Sequence, residues 1–221
     1  MSDHADAEGQ LMADLVRHLA DELGFHTAIL YGSHARNDWD AASDIDVVVF
    51  RDNAEPSHAA RRWRDVFLDR FVYPTGAEAT PEWLRLHGGR VLFQHDDEGD
   101  RVLSAVAELH KVGPPLLNPD AAQTRRLWLE KMLARAAKGD IEGDFCCHWL
   151  LSAQLEDYCA LRERWYLGPK QALLALKRES LDDLAVLATA LEPSARLEAI
   201  AAAVALVTSV QPDTRRAAPS V

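Results

Sequence analysis

Two acidic residues stand at a spacing that suits metal binding. Asp44 and Asp46 are one residue apart in Ser43–Phe50, a segment rich in β-branched residues that predicts a strand. Successive side chains alternate across a sheet, so these carboxylates share one face, with their Cα atoms roughly 7 Å apart. Their mutual repulsion would be relieved by a hard divalent cation such as Mg²⁺. A turn cap at Asp44 and an exposed sheet edge at Asp46 would explain the same spacing without a metal ion.

A glycine–serine pair precedes these acids. Gly32 and Ser33 follow Thr27–Tyr31, an apolar segment that predicts a buried strand, and they precede a predicted short helix at 33–37. Glycine permits a tight turn and a close approach of a ligand to the backbone. We expect Ser33 to cap the helix, whose free N–H groups would then form an anion site suited to a nucleoside triphosphate. The pair alone is a weak signal, but carboxylates about ten residues later would place a metal ion beside that triphosphate.

The combined pattern resembles the nucleotidyltransferase superfamily. The family elements Gly-Ser, Ala-Arg and Ser-Asp-x-Asp stand here as Gly32-Ser33, Ala35-Arg36 and Ser43-Asp44-Ile45-Asp46. Asn37 departs from the family pattern, because glycine is usual at that position. Asparagine also tolerates the left-handed backbone conformation, so we expect the loop to keep its shape. The resemblance implies nucleotide-binding residues and catalytic metal ligands: the former are Gly32, Ser33, Arg36 and Ser43, and the latter include Asp44 and Asp46.

The resemblance also implies a third carboxylate on a later strand, used as a metal ligand, a general base or both. We assign this role to Asp69, which lies in Phe67–Tyr73, an otherwise apolar segment where an unpaired charge is costly. A salt bridge from Asp69 to Arg70 or Arg36 is the structural alternative. The rival acidic residues fall outside the predicted strands: Asp65, Glu78 and Asp96.

The reaction implied by the resemblance transfers a nucleoside monophosphate (NMP) from a nucleoside triphosphate (NTP) to an acceptor hydroxyl and releases pyrophosphate. Two Mg²⁺ ions, held by Asp44, Asp46 and Asp69, would neutralise charge on the phosphates. Asp69 would take the proton of the acceptor hydroxyl or hold the metal ion that activates it.

The remaining sequence predicts the elements that position these residues. Strand-like segments alternate with short helical ones in the first half, which includes an amphipathic helix at 10–23 and a polar helix at 57–66. Val112–Pro119 is rich in glycine and proline and predicts a linker. Beyond it, long amphipathic segments predict helices only. The predicted fold class is α+β, with a small mixed-sheet catalytic domain at 1–115, an all-α helical bundle at 116–210 and a flexible tail at 211–221.

The helical half also resembles the substrate domains that are fused to small nucleotidyltransferase domains, including those of aminoglycoside-modifying enzymes. Gly168 and Pro169 predict the end of one helix and the start of the next, which places Lys170 in a first turn. The helix dipole disfavours a cation there, so a phosphate partner would explain Lys170, and so would plain exposure to solvent. Glu156 lies on a polar helix stripe that lines an acceptor pocket or faces water.

Composition restricts the partners. The chain has 221 residues, with 24 basic and 35 acidic side chains and a net charge of −11. This acidity argues against a broad nucleic-acid surface and suits a cationic, hydroxylated small acceptor. No apolar run reaches the roughly 18 residues of a membrane span, and the N-terminus lacks a secretory signal pattern. Together with cysteines that fit reduced thiols, these features predict a cytoplasmic protein that has no membrane partner.

Two other functions stay open on the sequence alone. The first is NMP transfer to RNA or protein, as in a toxin–antitoxin pair, which a local cluster of arginines favours weakly. The second is a nucleotide-binding module without catalysis, which is disfavoured because no carboxylate of the motif is missing. The nucleobase, the acceptor and the oligomeric state are not predicted.

Overall fold

The computed structural model describes residues 2–209, and the tail predicted at 211–221 lies outside the described residues. The chain forms two compact units that divide between Val112 and Gly113. The first unit holds a five-stranded sheet, and the described part of the second is helical. The predicted α+β fold class is confirmed.

The helices and strands follow the chain in two groups. The first unit contains α1 (Ser2–Arg17), a π-helical turn (His18–Glu22), β1 (Thr27–Tyr31), α2 (Gly32–Arg36), β2 (Ile45–Arg51), β3 (Ser57–Trp63), β4 (Val66–Pro74), a 3₁₀ helix (Pro81–Leu86), β5 (Arg90–Phe93) and α3 (Glu98–Val112). The second unit contains α4 (Pro119–Ala136), α5 (Ile141–Leu161), α6 (Pro169–Glu179), α7 (Leu181–Leu191) and α8 (Leu197–Thr208).

The sheet places β2 at its centre, in the order β3-β4-β2-β1-β5. Strands β2 and β4 are parallel, and the other neighbouring pairs are antiparallel. Both faces of β2 are covered: Ile45, Val47 and Val49 pack in the core that includes α1, whereas Val48 and Phe50 pack with the 3₁₀ helix and α3. A central strand buried on both sides is a nearly continuous apolar run, as β2 is. Asp46 is therefore an acidic interruption in that run.

The polar helix predicted at 57–66 is wrong, because these residues form β3 and its turn. Strand β3 is an edge strand whose Ser57–Trp63 segment pairs only with β4, through a two-residue turn at Arg64 and Asp65. Alanine and arginine favour helices in isolation. Pairing with β4 overrides that preference, and the charged side chains suit an exposed edge. Arg64 adopts the left-handed conformation of this turn, with φ 52°.

The helical unit buries one apolar cluster drawn from all five of its helices, including Leu129 of α4 and Leu150 of α5. Side chains cap three of these described helices at their N-termini: Asn118 accepts a hydrogen bond from the Ala121 N–H at 2.7 Å, Asp140 from the Gly143 N–H at 2.7 Å, and Ser180 from the Asp183 N–H at 3.3 Å. All three cysteines are free thiols. Within residues 2–209, no helix combines the length and apolar character needed to cross a membrane.

Candidate active site

Asp46 occupies the centre of the candidate site. It is the second residue of β2, where it lies opposite Tyr31 of β1 on one side and Asp69 of β4 on the other. Residues opposite each other on neighbouring strands point to the same face, so the structure brings Asp46 and Asp69 together. Asp44 precedes the first residue of β2 and is exposed, so the predicted strand begins later than Ser43.

The electrostatics of Asp46 set it apart from a surface carboxylate. Its pKa is raised to about 7, mainly by burial and then by the charges of Asp44 and Asp69, whereas Arg36 acts in the opposite direction. The same region raises the pKa of Tyr31, mainly through burial and then through Asp46. A nearby cation would favour the ionised form of Asp46 and relieve the repulsion.

Gly32 makes a close approach between the turn and this carboxylate possible. It lies in the left-handed region with φ +71°, and a Cβ placed there would stand 2.0 Å from Asp46 Oδ2. Any other residue would both strain the backbone and collide with the carboxylate. The glycine that begins α2 therefore lies directly beside the central acid of the site.

The loop around α2 differs in one detail from expectation. Ser33 is buried in the first turn of α2, and the residue at the N-cap position is Tyr31, so the predicted capping role of Ser33 is wrong. The prediction for Asn37 is confirmed: it has φ 58°, and its N–H donates a hydrogen bond to the Ser33 carbonyl. His34 is buried and stacks on Trp39, with ring centres 5.0 Å apart.

The other predicted nucleotide-binding residues of this unit help to shape the loop before β2. Ser43 closes a turn with Asp40: its Oγ accepts a hydrogen bond from the Asp40 N–H at 2.9 Å. Its own N–H donates to the Asp40 carbonyl at 3.0 Å. Arg36 lies 3.5 Å from an Asp38 oxygen through its Nε. A nucleotide role for both residues stays a prediction.

Asp69 has a partner that sequence reasoning missed. Its Oδ1 contacts His58 Nε2. Arg70 lies over the Phe25 ring, at 5.2 Å from its centre. The His58 ring stacks on Phe71, with ring centres 4.2 Å apart and planes 13° apart. The sequence analysis did not identify His58, because its segment was predicted as a helix. A helix there gives no reason to place His58 beside β4.

Arg85 is a second residue that the sequence did not single out. Its guanidinium lies 3.7 Å from the centre of the Phe71 ring and donates a hydrogen bond to the Tyr73 hydroxyl at 2.7 Å. Its charge lowers the pKa of Tyr31, against the stronger effect of burial. A cation therefore lies on the same sheet face as Asp46 and Asp69.

The donor set fits a hard divalent cation, since its oxygens come from carboxylates whose charges repel one another. The charges of Asp44 and Asp69 raise the pKa of Asp46, in addition to the larger effect of burial. Among the described residues, no group of three or more histidine, cysteine, aspartate or glutamate side chains is already gathered as a set of metal ligands. The chemistry of the donor set, rather than a preassembled cluster, is what favours a metal ion here.

The two candidate residues of the helical unit lie in different surroundings. Glu156 lines a cavity of about 280 Å³ whose walls include Trp128 and Trp149. Its Oε1 lies 3.6 Å from Arg125, which also forms a close ion pair with the buried Asp157. Lys170 is exposed in the first turn of α6, after Gly168 at the N-cap and Pro169, as predicted. Binding roles for Glu156 and Lys170 stay predictions.

The site therefore combines a turn that requires glycine with carboxylates on adjacent central strands. Residues 16–78 match the nucleotidyltransferase domain family, and this match spans every candidate residue of the first unit. The first unit therefore contains a nucleotidyltransferase domain over residues 16–78. Among solved structures, it is similar to a nucleotidyltransferase-like protein from Exiguobacterium sibiricum, with 10% identity, coverage of 90% of this chain and 73% of that chain, and a TM-score of 0.37. No curated protein matches the chain significantly.

Proposed function

We propose that the protein transfers an NMP group from an NTP to a hydroxyl of a small, cationic, aminoglycoside-like acceptor in a Mg²⁺-dependent reaction. The observation that carries this proposal is the juxtaposition of Asp46 and Asp69 on adjacent strands, with Gly32 in contact with Asp46. A site of this kind suits a triphosphate held beside its metal ions. The free thiols and the use of an NTP are consistent with a cytoplasmic enzyme.

Asp44, Asp46 and Asp69 would hold the metal, with two ions expected. Bound Mg²⁺ would neutralise charge on the phosphates and stabilise the leaving pyrophosphate. Gly32 and Ser33 begin α2 and would present backbone N–H groups to the phosphates, with Arg36 and Ser43 as further nucleotide contacts. Lys170 of the helical unit is proposed as another phosphate contact.

The chemical step is an in-line displacement at the α-phosphorus. The acceptor oxygen forms a new bond to phosphorus, and the bond to the bridging oxygen of the β-phosphate breaks, which releases pyrophosphate. Asp69 accepts the proton of the acceptor hydroxyl. Most of the rate enhancement comes from positioning and charge stabilisation, because the protein forms no covalent bond to the substrate.

The cavity at Glu156 supports a cationic acceptor. Arg125 supplies one positive charge against the two carboxylates of Asp157 and Glu156, so the lining keeps a net negative charge beside Trp128 and Trp149. Aromatic faces and a carboxylate attract an ammonium group together. Protonated amino groups of the acceptor would bind in this cavity.

The direct test incubates the full-length protein with Mg²⁺, each of the four common NTPs and a panel of amine-bearing polyols, including aminoglycosides. We expect pyrophosphate release with at least one pair, and a product heavier than the acceptor by one NMP less one water. Asp46→Asn should abolish the signal. Pyrophosphate release from none of the pairs would contradict the proposal.

The same preparation distinguishes a macromolecular acceptor. Radiolabelled NTP is added to cell lysate together with the protein, and the label is followed into small molecules, RNA and protein. The proposal predicts label on small molecules. Label found only on RNA or protein would replace the small acceptor with a macromolecular one, while the reaction type would stand.

A further inference from the structure

We propose that His58 is a positioning residue that holds the Asp69 carboxylate in the orientation needed for nucleotidyl transfer, and this inference rests on the function proposed above. His58 touches neither the metal nor the reacting atoms in this scheme. It acts through the contact between its Nε2 and Asp69 Oδ1. The other carboxylate oxygen, Oδ2, is thereby left to a metal ion or an acceptor proton.

The pairing of β3 with β4 creates this contact. His58 lies opposite Phe71, and Ala60 lies opposite Asp69. Because strand residues two apart share a face, the His58 ring reaches Asp69 diagonally across the two strands. Ala60 has only a methyl group, which leaves room beside Asp69 for that ring. A large side chain at position 60 would occupy the same space.

The aromatic surroundings of His58 fix the plane of its ring. The imidazole stacks on Phe71 with ring centres 4.2 Å apart, and the Arg85 guanidinium lies 3.7 Å from the centre of the same Phe71 ring. A ring held by stacking presents its Nε2 in one direction only. The carboxylate bound to it loses rotational freedom in turn, which is how hydrogen-bonded partners of metal ligands tune a site.

A purely structural role explains this arrangement less well. The His58 side chain is 50% exposed on an edge strand, and the Asp69 side chain is 27% exposed. Contacts between exposed charged groups contribute little to folding stability. We therefore expect the contact between His58 and Asp69 to influence catalysis more than folding stability.

Three substitutions separate the hydrogen bond from the stacking. His58→Phe keeps an aromatic ring on Phe71 and removes the N–H group, His58→Gln keeps an amide N–H at a similar reach, and His58→Ala removes both. The matched control is His95→Ala, since His95 is an exposed histidine 3.6 Å from Asp96, outside the site. Thermal unfolding of each variant reports on the fold.

In the transfer assay, we expect His58→Phe and His58→Ala to lower kcat about 10- to 100-fold while KM for NTP changes less than threefold. His58→Gln should recover most of that loss, and His95→Ala should match the wild type. The melting temperatures should agree within a few degrees. A His58→Phe variant with wild-type kcat, or a kcat loss that His58→Gln does not recover, would overturn the inference and leave the proposed function intact.

A metal titration tests the inference independently of transfer activity. A lack of activity in the wild type would contradict the proposed function but would not prevent this test. Mn²⁺ is titrated into the metal-free protein in the presence of a non-hydrolysable NTP, and free Mn²⁺ is followed by electron paramagnetic resonance. We expect about tenfold weaker binding in His58→Phe and near-wild-type binding in His58→Gln. Equal Mn²⁺ binding by wild type and His58→Phe, including no binding by either, would contradict the inference.

Discussion

Two aspartates, the half-buried Asp46 in the sheet unit and the buried Asp157 in the helical unit, have different electrostatic surroundings. Burial raises the pKa of Asp46 in the sheet unit and of Asp157 in the helical unit. Asp157 has a close ion-pair partner in Arg125, which favours its ionised form. Asp46 is instead next to two like charges, Asp44 and Asp69, with Arg36 as the cation that opposes them.

The difference separates a carboxylate satisfied within the fold from one prepared for a ligand. A buried charge with its own counterion needs nothing further and contributes to the packed unit. A half-buried charge among like charges destabilises the protein, and a cation relieves that destabilisation when it binds. We therefore expect substitution at Asp46 to affect function strongly and stability favourably, and substitution at Asp157 to destabilise the helical unit.

The largest expected effect is the loss of transfer activity in Asp46→Asn. The amide keeps the shape of the side chain but cannot supply the charge that binds the metal, so we expect at least a 10³-fold drop in kcat/KM. The measurement is steady-state pyrophosphate release, with Asp96→Asn as a control, because Asp96 is an exposed acid that the sequence offered as a rival third carboxylate. Equal activities of the two variants would refute the metal role of Asp46.

Gly32→Ala tests the contact between the turn and the central acid. The new Cβ would stand 2.0 Å from Asp46 Oδ2, so the carboxylate or the turn must move, and we expect more than a 100-fold loss of activity. Gly139→Ala is the matched control, since Gly139 has a similar φ of +67° but no atom within 4 Å of the added Cβ. That control should cost about 1 kcal/mol of stability through backbone strain alone. Wild-type activity in Gly32→Ala would show that activity does not depend on the close approach of the turn to Asp46.

The pH dependence of stability tests the raised pKa of Asp46. The folded state keeps the proton up to pH about 7, whereas the unfolded chain releases it near pH 4. The folded state binds more protons in that window, so this group stabilises the fold at low pH and its contribution is lost as pH rises through 7.

Urea unfolding in EDTA measures this contribution as the difference between Asp46→Asn and wild type. We expect the variant to gain stability relative to wild type as pH rises from about 5 to 8, because asparagine does not ionise. Saturating Mg²⁺ with a non-hydrolysable NTP should narrow the gap by stabilising the wild type at high pH. A difference that stays constant with pH would show that burial does not perturb Asp46.

The smallest expected effect concerns the stability of the helical unit, in which Asp157 is paired with Arg125. Asp157→Asn leaves Arg125 with only the more distant Glu156 as a partner, at 3.6 Å, so we expect about 1–3 kcal/mol lower stability of the helical unit. Glu156→Gln should change stability by less than about 0.5 kcal/mol, because that side chain is 54% exposed. Thermal unfolding compares the two. A greater loss in Glu156→Gln than in Asp157→Asn would reverse our assignment of roles.

The sequence predicted the parts of the fold that local rules control. The β-branched segment Ser43–Phe50 predicted a strand, and the structure has β2 over Ile45–Arg51. Asn37 was expected to adopt a left-handed conformation, and it does. The helices of the second unit followed from amphipathic segments broken by glycine and proline, and the structure has helices over those segments.

What the sequence did not predict depends on pairing between distant segments. Strand β3 has the composition of a helix, and only its hydrogen bonds to β4 make it a strand. The contacts of His58 and Arg85 around Phe71 followed from that pairing and were missed with it. Burial of His34 against Trp39 likewise arises from the folded loop rather than from any local pattern.

Calorimetric titration of a non-hydrolysable NTP, with Mg²⁺ and with EDTA, tests the central claim most directly. If Asp44, Asp46 and Asp69 form a metal-dependent nucleotide site, the wild type will bind the NTP at least tenfold more tightly with Mg²⁺ than with EDTA. Asp46→Asn will show no such difference. Wild-type binding that is equally tight under both conditions would contradict the claim and favour a nucleotide-binding module without metal-dependent catalysis.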